Sequence, residues 1–328
     1  MAAPYKVWLI TGASKGLGYD VARALLENGQ AVAATARNPS TLTALGRYAK
    51  DPTKYKSFKL DITSDAEISA AFQDAVEQFG RIDVVFSNAG AGVVGEVEGL
   101  SYQDIKSQVD LGMNGPINVT RYSIALFRRQ WESGSFPNGG GTLIQITSIG
   151  SLTSRPGLSI YQGCKAGLEQ FMNTAASELE PKWGINLLTI RPGGFETEWA
   201  KGSMIRKPTL PAYENLMSQY QRNHELLNSP QKFAAVMVDW NRKAIEYETA
   251  PATANGWAEV IRTVCPNEKG NGIDGGVILG IEGYMFIKDI LDRASQNLPK
   301  QLETARLTLR DGVDFDSFME MLNMPSRK

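Results

Sequence analysis

The sequence predicts a doubly wound α/β fold, a parallel sheet of about seven strands with helices packed on both faces. Short apolar runs of strand type alternate with longer stretches of helical periodicity along most of the 328 residues. A glycine-rich turn separates the first apolar run from the first helix. The links between successive runs have room for crossover helices, which neighbouring parallel strands require.

The first strand is Val7-Trp8-Leu9-Ile10, followed at once by Thr11-Gly12-Ala13-Ser14-Lys15-Gly16-Leu17-Gly18. A helix comes next, with Leu17, Val21, Ala24 and Leu25 on one face, and it runs to Asn28-Gly29. Strand, glycine turn and helix is the layout that brings a pyrophosphate to a helix N-terminus. Bare backbone permits close approach, and exposed N–H groups and the helix dipole favour the anion. Ala31 to Ala36 is the second strand, and Arg37 stands at its end, where many dinucleotide folds place an acidic residue for the adenosine ribose. An arginine there suits a 2'-phosphate that an aspartate would repel. Lys15 adds a second cation nearby, so the two favour NADP over NAD, although two exposed cations are also an ordinary surface feature.

Lys56 to Leu60 is the third strand, closed by Asp61-Ile62. Asp61 either accepts from an adenine amino group or caps the helix that follows, Asp65 to Phe79. Asp83 to Ser87 returns as the fourth strand and ends in Asn88-Ala89-Gly90. One long helical stretch, from about Ser101 to Trp131, precedes a polar, glycine-rich loop from Gly134 to Gly141. Thr142 to Thr147 is the fifth strand, with Ser148 at its carboxyl end, where ligands of such sheets bind. The helix from Ser159 to Leu179 carries Tyr161 and Lys165, and a sixth strand, Ile185 to Ile190, ends in Arg191-Pro192-Gly193-Gly194.

Tyr161 and Lys165 are four residues apart and share one helix face. A phenol beside a fixed ammonium is expected to titrate below its usual value of about 10, because the cation favours the phenolate. Such a group can give a proton near neutrality and take one back. By itself the spacing fits an ordinary surface pair at least as well.

Together these residues resemble the short-chain dehydrogenase/reductase family of the classical type. The resemblance rests on Thr-Gly-x-x-x-Gly-x-Gly at residues 11 to 18, Asp61, Asn88-Ala89-Gly90, Ser148, Tyr-x-x-x-Lys at 161 to 165, and Pro192-Gly193 with Thr197. It implies a Rossmann-type fold and an NADP(H)-dependent carbonyl reductase. Implied cofactor contacts are Gly12, Ser14, Lys15, Gly16, Leu17 and Gly18 in the turn, Arg37, and Asp61 with Ile62. Asn88, Ala89, Gly90, Tyr161, Lys165, Pro192, Gly193 and Thr197 complete that set. Tyr161 would be the general acid or base, Ser148 would bond the substrate oxygen, and Lys165 would hold the nicotinamide ribose and tune the tyrosine. Carbonyl reduction needs a hydride at carbon and a proton at oxygen, and a hydrogen bond to that oxygen strengthens as its charge grows.

One position departs from the family. With Gly115 as anchor in Asp110-Leu111-Gly112-Met113-Asn114-Gly115-Pro116, the usual asparagine is replaced by Gly112. Asn114 should point away unless the helix is kinked or out of register, since two residues along a helix turn about 200°. Three readings stay open: slower but intact redox catalysis, an enlarged pocket for a bulky substrate, or a scaffold used as a cyclase, isomerase or ligand-sensing protein.

Between Trp199 and Thr249 the chain is rich in aromatics and methionine, where the family builds its substrate lid, about residues 198–250. Tyr213, Leu216, Met217, Tyr220, His224 and Leu227 form one stripe; Phe233, Val236, Met237 and Trp240 form a second. Most of these residues pack the lid onto the core, and a few line an apolar pocket for a hydrophobic carbonyl or alcohol. A further helix runs from Pro251 through Val264, and Val277 to Leu279 is a seventh strand. Residues 1–280 form the catalytic domain, and 281–328 form a C-terminal helical extension.

With 42% hydrophobic residues and a formal net charge of -1, the chain can bury a full core and has no basic excess to suggest nucleic acid. Cys164 and Cys265 have neither metal nor redox spacing, and His224, the only histidine, reads as solvated. No metal site is expected. The start lacks a signal-peptide pattern and no apolar run reaches a membrane span, so a soluble, cytoplasmic protein is expected. The family resemblance adds a homodimer or homotetramer.

Overall fold

The computed structural model describes residues 5–134, 140–195, 204–215, 229–249, 259–261, 263 and 277–279. Its strands are β1 (Val7–Ile10), β2 (Ala31–Ala36), β3 (Tyr55–Lys59), β4 (Val84–Ser87), β5 (Gly92–Val94), β6 (Thr142–Ile146), β7 (Asn186–Pro192), β8 (Met204–Arg206) and β9 (Val277–Leu279). Seven of them form one sheet in the order β3-β2-β1-β4-β6-β7-β9. Every pairing in it is parallel. This is the expected doubly wound fold.

Parallel strands are covered on both faces, which is why their sequences are continuous apolar runs rather than alternating ones. Every residue of β1, β2, β4 and β6 is buried. Side chains still alternate between the two faces. Trp8, Ile10, Val84 and Phe86 join one core cluster, while Leu9, Val85 and Leu143 join the other.

The helices are α1 (Gly16–Glu27), α2 (Asp65–Phe79), α3 (Tyr102–Val109), α4 (Gly115–Glu132), α5 (Ser159–Ser177) and α6 (Pro230–Thr249). Ile68 and Phe72 of α2, Val119 and Phe127 of α4, and Leu168 and Met172 of α5 fill one core cluster. Val21 and Leu25 of α1 fill the other, together with Phe233, Met237 and Trp240 of α6. The second stripe of the expected lid is therefore a core face. Phe233 meets Phe86 and Phe195 at ring-centroid distances of 6.4 and 5.5 Å, and Trp8 Nε1 donates to Asn241 Oδ1 at 3.1 Å. Of the first stripe only Tyr213 is described; Leu216, Met217, Tyr220, His224 and Leu227 lie outside the described residues, as does Cys265.

Two other features differ from expectation. The long helix after β4 is interrupted: α3 gives way to a π-helical turn, Asp110–Asn114, before α4 begins. A two-stranded parallel ribbon, β5 with β8, lies apart from the main sheet, with Gly92 opposite Met204 and Val94 opposite Arg206. The chain divides into two compact units, Met1–Tyr284 and Met285–Lys328, and the second lies outside the described residues. Among the described residues no helix is long and apolar enough to cross a membrane.

Candidate active site

Because all seven strands run the same way, their carboxyl ends share one edge of the sheet. The turn after β1, Arg37 after β2, Asp61 after β3, Asn88 after β4, Ser148 after β6 and Pro192-Gly193 at the end of β7 stand along it. Thr197 lies outside the described residues.

The glycine turn is built by close approach. Gly12 and Gly16 have φ of 67° and 60°, the left-handed region where a side chain is strained. A Cβ on Gly18 would stand 2.5 Å from both Asn88 Nδ2 and the Gly12 carbonyl oxygen, and one on Gly12 would stand 2.9 Å from Ala89 Cα. Asn88 holds the turn in place by donating from Nδ2 to the carbonyls of Thr11 (3.0 Å) and Gly12 (3.2 Å). The buried Thr11 hydroxyl in turn accepts from the N–H groups of Asn88 and Ala89 at 2.9 and 3.0 Å. Lys15 occupies the N-cap of α1 and its side chain makes no capping bond, so among the described residues no side chain satisfies the first N–H groups there. Leu17 packs on the core, while Ser14 is half-buried. Gly90 is exposed at the end of this edge.

The Ala13 N–H donates to the Thr35 carbonyl at 2.9 Å, tying the turn to the end of β2. Lys15 and Arg37 are both exposed, and neither makes a hydrogen bond or ion pair among the described residues. Asp61 closes a turn rather than capping α2. Its Oδ1 accepts from the Thr63 N–H and hydroxyl at 2.9 and 2.7 Å, and Ser64 provides the cap. Ile62 is buried, and its carbonyl would be 2.8 Å from a Cβ on Gly115, so the π turn and α4 press closely on the end of β3.

Ser148, Tyr161 and Lys165 come together. Ser148 Oγ accepts from the Gly150 N–H at 3.0 Å and lies near enough to the Tyr161 phenol to act on its titration. Gly150 permits this tight turn, since a Cβ there would sit 3.1 Å from Ser148 Oγ. Tyr161 and Lys165 are both buried on α5, and Lys165 Nζ lies 5.9 Å from the centroid of the Tyr161 ring. Buried Gln162 holds the loop between Ser148 and α5, its Oε1 accepting from the Arg155 N–H at 2.9 Å.

The expected lowering of the tyrosine pKa is not found. Burial pushes the Tyr161 phenol up to about 12, and the neighbouring Ser148 hydroxyl offsets only part of that rise. Burial likewise drives Lys165 down to about 8, against the opposing pull of Cys164 and Glu169. The helical spacing brings the two side chains near each other, but the ammonium is turned to the Ile146 carbonyl at 3.1 Å. Desolvation of the phenolate outweighs the attraction that remains.

Gly112 is buried and its surroundings are filled. A Cβ there would be 2.8 Å from Gln108 Nε2 and 3.2 Å from Cys164 Cβ. Gln108 spans the space to β5, its Oε1 accepting from the Val93 N–H at 2.7 Å and its Nε2 donating to the Ala91 carbonyl at 3.3 Å. Asn114 is exposed even though the π turn shifts the register, and its Nδ2 donates to Asp110 Oδ1 at 3.0 Å. Cys164 is buried, and burial raises its thiol pKa.

The profile of the short chain dehydrogenase family matches residues 6–206, more than half of the chain. The chain belongs to the short-chain dehydrogenase family. It is 36% identical over 215 residues to an uncharacterized oxidoreductase of Schizosaccharomyces pombe, covering 66% of this chain and 69% of that one. It is 36% identical over 206 residues to an oxidoreductase of Botryotinia fuckeliana, covering 62% and 71%. Among solved structures, a short-chain dehydrogenase from Streptomyces avermitilis superimposes with a TM-score of 0.74 at 28% identity, covering 93% of this chain and 99% of that one. The protein is thus an oxidoreductase of the short-chain dehydrogenase type.

Members of this family bind NAD(P). The residues here fit such a group, because the glycine turn leads into the N-terminus of α1, whose N-cap side chain leaves the first N–H groups open to a pyrophosphate. Sequence reading missed three supports of this short-chain dehydrogenase site. The Thr11 hydroxyl had a signal in the glycine motif itself; Gln108 and Gln162, polar residues on amphipathic helices, had none.

Proposed function

We propose that the protein reduces the carbonyl of a hydrophobic small molecule to an alcohol with NADPH, reversibly in principle. The observation that carries this reading is the convergence of Ser148 with the buried Tyr161 and, one helical turn further on, the buried Lys165, on the sheet edge that also bears the glycine turn. Gly12, Ser14, Gly16, Leu17, Gly18, Asn88, Ala89 and Gly90 would hold the dinucleotide, with Asp61 and Ile62 toward the adenine and Pro192, Gly193 and Thr197 toward the nicotinamide. Bound there, the reduced nicotinamide supplies the hydride.

Tyr161 is the proton donor. With its pKa pushed up to about 12, the phenol stays protonated at neutral pH and gives its proton only to a strong base, such as the alkoxide forming on the substrate. Ser148 Oγ accepts from Gly150, which orients the hydroxyl, and once substrate is bound its single proton is donated to the substrate oxygen as charge grows there. Lys165, fixed by the Ile146 carbonyl, carries its charge below about pH 8 and stabilises the phenolate left after transfer.

Two cations beside the turn that have no partner among the described residues, Lys15 and Arg37, support a 2'-phosphate and hence NADPH. Val97 and Leu152, exposed by 61% and 42%, support an apolar substrate, since they follow β5 and the Ser148 turn, and Ile205, exposed by 58%, adds apolar surface on β8 beside β5. The test is oxidation of NADPH, with NADH in parallel, against a panel of hydrophobic ketones and aldehydes. Alcohol should form one-for-one with NADPH consumed and more slowly with NADH. Product without net cofactor consumption would overturn the reading.

A further inference from the structure

Beneath the Ser148 turn lies a buried ion pair that the proposed roles leave unused. Glu169 stands one turn after Lys165 on α5 and is 5% exposed; Arg191, near the end of β7, is 8% exposed. Arg191 Nε lies 2.9 Å from both carboxylate oxygens and Nη2 lies 2.8 Å from Oε2, so the guanidinium holds the carboxylate as a fork. The same Oε1 accepts from the hydroxyls of Thr147 at 2.7 Å and Ser151 at 2.5 Å. Those two residues bracket Ser148 in the chain. Each hydroxyl is also within reach of a backbone carbonyl, Ile190 for Thr147 and Ser148 for Ser151. Each has a single proton, and the charged acceptor draws it more strongly.

Stability does not account for such a pair. Taking both charges out of water offsets most of their attraction, and apolar residues of the same volume serve a fold as well or better. What the pair does supply is a fixed relation between two pieces of backbone. Glu169 shares α5 with Tyr161 and Lys165, while its Oε1 holds both sides of the turn that carries Ser148. Arg191 anchors the carboxylate to the sheet.

We propose that Glu169 and Arg191 are positioning residues of the active site, clamping the Ser148 turn through Thr147 and Ser151 to the helix that carries Tyr161 and Lys165. This rests on the roles proposed above for Ser148 and Tyr161. It adds that their separation is set by side chains touching neither substrate nor cofactor. The Glu169 carboxylate also faces Lys165 from the next turn of α5. Cys164 flanks the lysine on the same helix, Tyr161 lies a turn before it, and the Ile146 carbonyl meets it from β6.

Glu169→Gln alone strands a buried guanidinium, so the main variant is the double Glu169→Gln/Arg191→Met, which removes both charges. It should fold, bind NADPH with an affinity within about threefold of wild type, and lose kcat by about 10- to 100-fold, the cost of misplacing a catalytic group by about an ångström. KM for the ketone should change less than kcat. The alkaline limb of the kcat profile should move to lower pH, because Lys165 has lost the carboxylate facing it. Glu169→Asp keeps the charge but draws the carboxylate back by one methylene. It should lose kcat similarly with the alkaline limb unmoved, and it decides the matter if the double variant does not fold. A folded variant with kcat within about threefold of wild type overturns the clamp. Tyr161→Phe, run alongside, separates the two claims: turnover retained there defeats the mechanism itself. Turnover lost there but kept in the Glu169 variants defeats only the clamp.

Discussion

Replacing Gly18 with alanine tests whether the turn after β1 is held as tightly as its contacts require. The new Cβ would stand 2.5 Å from Asn88 Nδ2 and 2.5 Å from the Gly12 carbonyl oxygen. The second of these is backbone, so something must shift. The cheapest response swings the Asn88 amide away, losing its bonds to Thr11 and Gly12 at 3.0 and 3.2 Å. At about 1 kcal/mol for each bond, and about 1 kcal/mol more for overpacking, the substitution costs about 3 kcal/mol. Part of that cost appears without ligand, as a fall in Tm of several degrees. The rest appears as lost affinity: if half of it opposes the bound arrangement of the turn, NADPH binding weakens about tenfold. Thermal melting and a fluorescence titration with NADPH read the two parts separately. Wild-type Tm together with wild-type affinity would mean that Gly18 has room to spare and that Asn88 does not brace the turn.

Arg37→Ala should lower kcat/KM for NADPH by about 10- to 100-fold, the value of a charge-assisted contact, while leaving NADH nearly unchanged; parallel steady-state kinetics with the two cofactors decide it. Lys165, pushed down to about 8 by burial, contributes stability that is fully present above the ordinary lysine value of about 10.5 and is lost as pH falls through about 8. Denaturant titrations should therefore show stability rising with pH across that interval, and Lys165→Met should flatten this component. Gly163 lies inside α5 with open space where a Cβ would go. Gly163→Ala should accordingly raise stability by about 0.5–1 kcal/mol, seen as a small rise in Tm.

How much was legible in the sequence follows from whether the cause was local. β1 and β2 announced themselves because a strand buried on both faces must be a continuous apolar run, and Val7–Ile10 and Ala31–Ala36 are such runs. The helix Asp65–Phe79 was bounded by its own chemistry, a Ser64 cap at one end and Gly80 with φ of 78° at the other. The β5–β8 ribbon joins segments about 110 residues apart, each three residues long, and no local period marks them. The π turn at Asp110–Asn114 lies where Gly112 packs on Gln108 and Cys164, contacts that helical periodicity cannot foresee. The α6 stripe looked like a lid because an amphipathic face does not say which surface it will cover; here it covers the sheet beside α1. The titration of Tyr161 has a related cause, since helical spacing specifies the approach to Lys165 but not the burial that dominates. Glu169 and Arg191 were invisible as a pair, because a charged residue on a helix reads as solvated until a strand brings its partner.

The proposal stands or falls on the proton at Tyr161. Single-turnover oxidation of NADPH by a reactive ketone, followed by the cofactor's absorbance, should be compared in the wild type and in Tyr161→Phe, with NADPH affinity measured on the same samples. Unchanged affinity with oxidation slowed by about 100- to 10,000-fold is the predicted result. Oxidation at close to the wild-type rate would mean that the proton comes from somewhere else.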